Sequence, residues 1–341
     1  MRARLLTGLF VVVISLIATE HANAAAPDLR AEAGLRIRYD DNVFQYSDRN
    51  LGRYDQTLPK FRTIESTDDI IVTPSIDIRA TWKGRYTTRL FGGVDVNQYT
   101  KNTDRSSQTY TLGVTQKLPH DTGITLRYRF VPTHFGWRLA DPPNQTITYS
   151  NAELSSSSWR LAADHDFTRT LNAELYGAWE SKDYNPAFNH RDMTVKEVGF
   201  SGTVRLRPKV SVTLGGSHET GDAAGAGDAS INGGSDTSYR QWSAFVKPRI
   251  SPTRDWDVAL TYEYQKRDFT SALVADTNYT QREDTTHTIG LDSTVQIRKN
   301  IELRADYDHI QRSVASLAPG VNLDFGNYTE QRVTLGADYR F

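Results

Sequence analysis

The sequence predicts an all-β protein, a transmembrane antiparallel up-and-down β-barrel of about fourteen strands, or about twelve or sixteen if a hairpin is merged or missed. Three observations predict it. Apolar residues recur at every second position along most of the chain, the connections alternate between short and long, and aromatic residues gather towards both strand ends.

The chain opens with a targeting segment. Arg2 and Arg4 precede an apolar run from Leu5 to Ala18, and Ala22-Asn23-Ala24 forms a small-residue cleavage site. Residues 1–24 therefore read as a Sec-type signal peptide cleaved after Ala24, with the barrel occupying residues 25–341. No later stretch is long and apolar enough for a membrane helix, a criterion that strands of a barrel escape because they alternate.

The strands follow in order. In the first, Leu29, Ala31, Ala33, Leu35, Ile37 and Tyr39 share one face and Arg30, Glu32, Gly34, Arg36 and Arg38 the other. In the second, Val72, Pro74, Ile76, Ile78, Ala80 and Trp82 oppose Thr73, Ser75, Asp77, Arg79 and Thr81. The same alternation runs through Ile124 to Phe130, Trp256 to Tyr264, Ile301 to Asp308 and Arg332 to Phe341. A helix would require apolar spacings of three and four. Short connections fall at Lys83-Gly84, Pro119 to Asp121, Thr168-Arg169, Pro208-Lys209, Ser251 to Asp255 and Lys299-Asn300. Long ones run Ser47 to Asp68, Thr100 to Ser106, Thr133 to Ser150, Asn185 to Arg191, Asp222 to Thr237, Thr270 to Arg282 and Val314 to Asn327. Short periplasmic turns and long extracellular loops are the layout of an outer-membrane barrel. Trp82, Tyr86, Phe167 and Trp256 lie beside short turns, and Tyr110, Trp159, Trp179, Trp242 and Tyr264 lie nearer the long loops. These are the two levels at which amphipathic rings meet a membrane–water boundary. The implied location is the outer membrane of a Gram-negative bacterium, reached through the periplasm.

Parity assigns the charges. An Arg or Lys facing lipid at mid-bilayer costs about 2–4 kcal/mol, so the charged face lines the lumen. The lumen-lining candidates are Arg36, Arg38, Arg79, Arg89, Arg127, Arg129, Arg304, Asp77, Asp95, Glu263 and Asp306. Many of these charges are expected to pair across strands. Arg127 and Arg129, together with Arg36 and Arg38, are the best candidates for guiding an anionic or polyhydroxylated solute, because Arg is a multidentate donor. The segment from Pro132 to Ser150, with Trp137, Arg138 and Pro142-Pro143, is the best candidate for a loop that folds inward, against the alternative of an ordinary surface loop.

Other chemistry is largely excluded. The chain has no cysteine and a net charge of -1, so it holds no disulfide or thiolate metal site and lacks the basic excess of a nucleic-acid binder. No HExxH, Walker A, GxSxG or EF-hand pattern occurs, and neither catalytic residues, cofactor nor metal is expected. Asp308-His309, near Asp306, is a weak protease-like pair. Asp40, Asp41 and Asn42 carry oxygens that suit Ca²⁺, and a polar strand end is the plainer reading.

Two stretches resemble known proteins. The last strand, with Leu335, Tyr339 and a final Phe341, resembles the C-terminal signature of bacterial outer-membrane proteins, which implies recognition by the barrel-assembly machinery. "GLRIRYDDNVFQ", Gly34 to Gln45, resembles the first strand of a family of outer-membrane β-barrel porins linked to exopolysaccharide or capsule production. That resemblance implies a non-enzymatic channel for exopolysaccharide export, working with separate periplasmic export proteins, and carries over no catalytic residue. The alternatives are a general diffusion porin, a structural or adhesive surface barrel, and a surface barrel enzyme.

Overall fold

A computed structural model describes residues 26–84, 86–140, 149–225, 236–272, 278–316 and 326–341. The expected signal peptide and Pro142-Pro143 lie outside them. The strands are β1 (Asp28–Asp40), β2 (Asp69–Lys83), β3 (Thr87–Tyr99), β4 (Ser107–Leu118), β5 (Thr122–Ala140), β6 (Tyr149–Thr168) and β7 (Leu171–Tyr184). They continue as β8 (Met193–Arg207), β9 (Val210–Ala223), β10 (Tyr239–Ile250), β11 (Trp256–Phe269), β12 (Arg282–Arg298), β13 (Ile301–Ser316) and β14 (Tyr328–Arg340). Each pairs antiparallel with its sequence neighbours, and β1 pairs with β14, so these 14 strands form a closed barrel with no free edge.

The alternation sets the two faces. Leu29, Leu35, Ile76, Ile78, Leu161, Leu175, Phe200, Leu214, Leu260, Leu291 and Leu335 are all exposed on the outer wall. Such a continuous apolar belt on a closed barrel is stable only against lipid. Outward charges such as Lys196, Arg240 and Lys266 sit near the long-loop ends of their strands, where exposure to the polar interface costs little. Trp242, Trp256, Phe167 and Tyr110 are exposed on the same face.

Two corrections to the expected layout concern the long connections. The stretch from Thr133 to Ala140 continues β5, and Tyr149–Ser150 already belongs to β6. The register slips between Val131 and His134 and again between Phe135 and Trp137. Such bulges break strict alternation while the ladder continues. The described parts of this segment, residues 132–140 and 149–150, extend the wall of the barrel as a ladder. Arg138 fastens it by donating to the Tyr149 carbonyl at 2.7 Å and to Asn151 Oδ1 at 3.1 Å.

The segment that packs inward is the connection between β1 and β2. Val43, Phe44, Tyr46, Phe61 and Ile64 are buried with Ile71, at the upper end of β2, and Phe135. Leu51, Tyr54 and Tyr99 pack against them. Ile71 and Tyr99 have the parity of the lumen face, and Ile71 is paired with Arg38 on one side and Tyr99 on the other. The segment therefore sits in the long-loop mouth of the barrel. Its stem is locked by Asp69, whose carboxylate accepts from Thr100 N, Thr100 Oγ1, Lys101 N, Asn102 N and Asn102 Nδ2 at 2.8–3.0 Å. Asn102 in turn accepts from Glu65 N at 3.0 Å and donates to the Ser66 carbonyl at 2.9 Å.

Candidate functional site

The lumen wall is where polar side chains converge, and each predicted lumen residue has the inward parity. What the structure adds is their pairing. On the arc β12–β13–β14–β1 the charges neutralise one another. Arg304 meets Asp338 at 3.0 Å and Glu302 at 2.8 Å. Arg332 meets Glu330 at 2.6 Å and Asp40 at 3.4 Å. Arg340 meets Glu32 at 2.9 Å across the closing seam and Glu302 of β13 at 2.7 Å. Gly34 is required on this seam, because a Cβ there would collide with Ser75 and with the Asp338 carboxylate. Asp306 lies directly opposite Asp292, a like-charge pair that Lys247 offsets by holding Asp292 at 2.7 Å. Glu263 accepts from Gln265 Nε2 at 2.6 Å.

The arc β2–β5 differs. Among the described residues, none of Arg79, Arg89, Arg127 and Arg129 has a carboxylate within ion-pairing distance. Arg79, Arg127 and Arg129 are exposed to the lumen and Arg89 is half-buried. Arg127 also faces Arg160 across the ladder, but Arg160 is neutralised by Glu174 at 2.6 Å and lies over the Tyr176 ring at 4.0 Å. The other two candidates, Arg36 and Arg38 on β1, have different surroundings. Arg36 approaches Asp95 at 4.0 Å, and Arg38 lies opposite Ile71 beneath the inward-packed segment. Asp77 lies over Gly93, one row above Arg79.

The two arcs adjoin at the β1–β2 ladder, and only their far ends face each other across the barrel. Across a closed ring of 14 strands, β5 stands opposite β12 and β6 opposite β13. Arg127 and Arg129 lie at about the same distance from the short turns as Asp292, Asp306 and Asp308. A solute at mid-barrel thus meets unpaired guanidinium groups on one side and a carboxylate-rich wall on the other.

Sequence reasoning missed four lumen aromatics. Phe91, Tyr176, Phe245 and Tyr239 have the polar parity, and each stands directly opposite a glycine: Gly113, Gly199, Gly215 and Gly221. In each case a Cβ on the glycine would collide with the ring, so the ring lies along the wall over its neighbour. The readable signal was an aromatic at a polar-parity position facing a glycine.

Two further sites resolve differently from expectation. The Asp40, Asp41 and Asn42 oxygens are already used: Asp40 by Arg332, Asp41 Oδ1 by Gln331 N at 2.7 Å, and Asn42 Oδ1 by Tyr46 N at 2.8 Å. Asn42 Nδ2 also donates to the Tyr46 carbonyl at 2.8 Å and to the Thr329 carbonyl at 3.2 Å. This is a structural turn that pins the inward segment to β14. His309 has the outward parity of Tyr307, whereas Asp306 and Asp308 have the inward parity, so the protease-like pair is split across the wall. No group of three or more potential metal ligands occurs among the described residues.

No protein-family model matches the chain, and no curated protein does. Solved structures similar to it include an anion-selective porin from Comamonas acidovorans, with 10% identity, 93% of this chain and 99% of that chain covered, and a TM-score of 0.47. The outer membrane channel DcaP of Acinetobacter baumannii has 13% identity, 93% and 98% coverage and a TM-score of 0.49. A bacterial polysaccharide outer membrane secretin has 11% identity, 91% and 98% coverage and a TM-score of 0.46.

Proposed function

We propose that the protein is an outer-membrane channel that carries a polar solute, and that this solute is a polysaccharide moving outward. The observation that carries the reading is the lumen itself. A barrel of this strand number encloses more than packed side chains, since barrels of about eight strands are already filled. Its wall presents Ser, Thr, Gly, charged groups and flat aromatic rings. Contacts of this kind are individually weak and repeated along the path, which lets a polymer advance where one tight site would stall it. The resemblance of Gly34 to Gln45 to exopolysaccharide-linked barrels points the same way. Periplasmic export proteins would deliver the polymer, and the final strand ending in Tyr339 and Phe341 would serve the assembly machinery as its recognition signal.

The test is single-channel conductance of the refolded mature chain in planar bilayers, with neutral and acidic oligosaccharides added from the periplasmic side. A stable conductance that one sugar class interrupts is the expected result. Current that passes small ions while every oligosaccharide leaves it untouched would favour a general diffusion porin. Silent bilayers containing verified, inserted barrels would overturn the open channel and leave a surface or adhesive role.

A further inference from the structure

The wall of β2–β5 carries an arrangement more specific than a charged lining. Arg79, Phe91, Gly113 and Arg127 form one continuous row across β2, β3, β4 and β5, each residue paired with the next. Neighbouring strands are about 4.8 Å apart, so the two arginines of the row are separated by about 14 Å at the backbone. The ring between them reaches over Gly113, where a Cβ would collide with it. Arg129 follows Arg127 on the same strand face, one step towards the long loops, and Arg89 precedes Phe91 one step towards the short turns. Arg79 and Arg127 thus stand on either side of the ring in its row, Arg89 below it and Arg129 diagonally above, while the Asp77 carboxylate lies over Gly93 directly above it; none of the four guanidinium groups has a carboxylate within ion-pairing distance among the described residues.

A purely structural account leaves this unexplained. An aromatic over a strand glycine is stabilising wherever it occurs, and the three other pairs show that the barrel uses the device generally. Elsewhere, however, the neighbouring charges are satisfied: Tyr176 donates to Glu197 at 2.7 Å, Tyr239 donates to Glu219 at 2.6 Å, and Arg267 over Tyr239 is held by Gln241 at 2.9 Å. Phe91 has no polar tip, and the cations around it are left to meet something that enters the lumen. Four unneutralised cations in a lumen repel one another and raise the local concentration of anions. A flat apolar face suits the C–H face of a pyranose ring, and a guanidinium fork suits a carboxylate.

We propose that Phe91, with Arg79, Arg89, Arg127 and Arg129, forms a subsite for an acidic sugar residue, its ring stacked on Phe91 and its carboxylate held by the arginines. This rests on the channel reading and names the class of glycan it carries, a uronic-acid polymer.

Calorimetry on the full mature chain folded in detergent micelles tests it without requiring conductance. The probes are a uronic-acid tetrasaccharide, a neutral glucose tetrasaccharide and inorganic phosphate. The uronic tetramer is expected to bind about tenfold more tightly than the neutral one, the gain of one good charge-assisted contact. R127Q/R129Q should erase that preference and leave neutral binding unchanged. F91A should weaken both sugars, and F91W, which keeps a ring, should not. Equal binding of the two sugars by the natural chain, or an undiminished preference in R127Q/R129Q, overturns the proposal. Phosphate binding as tight as that of the uronic tetramer, with no effect of F91A, also overturns it by showing a bare anion site. Folding of each variant is checked by heat-modifiable gel mobility. Specific binding with silent bilayers would keep the subsite and sink the channel; conductance without preference would do the reverse.

Discussion

Two arcs of one lumen treat charge in opposite ways. On β12–β14 and β1, acids and arginines interlock so closely that Glu330, Asp338 and Asp40 are almost wholly buried. On β2–β5, arginines of the same parity stand without carboxylate partners among the described residues. The first arc contains the seam where the last strand meets the first, a junction that no tight turn enforces, and the ion pairs run across it from Arg340 to Glu32 and from Arg332 to Asp40. The second arc is stitched by hairpins and needs no such help. Charge engaged in closure and charge left unpaired are therefore distinguishable by partner, although they are identical by sequence pattern.

The comparison breaks most easily at the seam. R332M would leave Glu330 and Asp40 buried beside each other without a cation, a loss of about 3–5 kcal/mol for a broken buried pair. The expected outcome is a marked fall in the temperature at which the refolded barrel loses its compact gel mobility. Replacing Glu330 and Arg332 by leucine and Asp40 by asparagine together should cost much less, since no uncompensated buried charge remains. R127Q/R129Q, on the basic arc, should not move that temperature. A similar loss in both variants would erase the distinction between the arcs.

A second prediction concerns the segment that joins the arcs at the mouth. It is pinned to β14 through Asn42 and rests on Ile71, Tyr99 and Phe135 above the basic arc. Phe44 is its deepest ring, stacked on Tyr46 at 5.4 Å, edge-on to Phe135 at 6.2 Å and capped by Arg105 at 4.5 Å. F44A removes about 3–5 kcal/mol of buried aromatic packing, against a local structure that has little else to hold it. The expected result is release of the segment, seen as new protease cleavage between residues 47 and 68 with the barrel intact and as larger single-channel conductance. Unchanged cleavage would mean that the Asp69–Asn102 lock alone retains it.

What was legible in the sequence follows from these contrasts. Period two identified the strands and the lumen parity, because lipid on one side and water on the other impose it residue by residue. It ran out where neither solvent rules. Phe44, Phe61 and Ile64 have no regular spacing, since they pack in three dimensions against Ile71 and Phe135 and repeat along no ladder. The bulges at Val131/His134 and Phe135/Trp137 hid the upper part of β5 for the same reason. The arginines could be assigned inward but not paired, because partners depend on cross-strand register; Arg36 belongs with Asp95, and Arg127 shares its row with Phe91 and Arg79. Phe91 itself was hidden by obeying the polar parity while being apolar.

The smallest expected effect is a pH dependence confined to the mouth. Burial among Tyr46 and Phe61 pushes the Lys60 ammonium down from its ordinary 10.5 to about 8, while its Nζ still donates to Asn50 Oδ1 at 2.9 Å. The sign follows from proton counting. Below pH 8 the amine is charged both in the packed and in the released segment, and the packed state carries the full desolvation penalty. Between pH 8 and 10.5 the packed segment has lost the proton and the released one keeps it, so release must take up a proton and becomes harder as pH rises. Proteolysis of the segment, corrected for the protease's own pH profile, should therefore slow across this window, modestly because the amine is partly solvated. K60M should abolish the trend and slow cleavage at neutral pH. The paired arc has no part in this titration, so the thermal stability of the barrel should stay level while cleavage at the mouth changes; a parallel shift of both would show that the segment and the seam open as one unit.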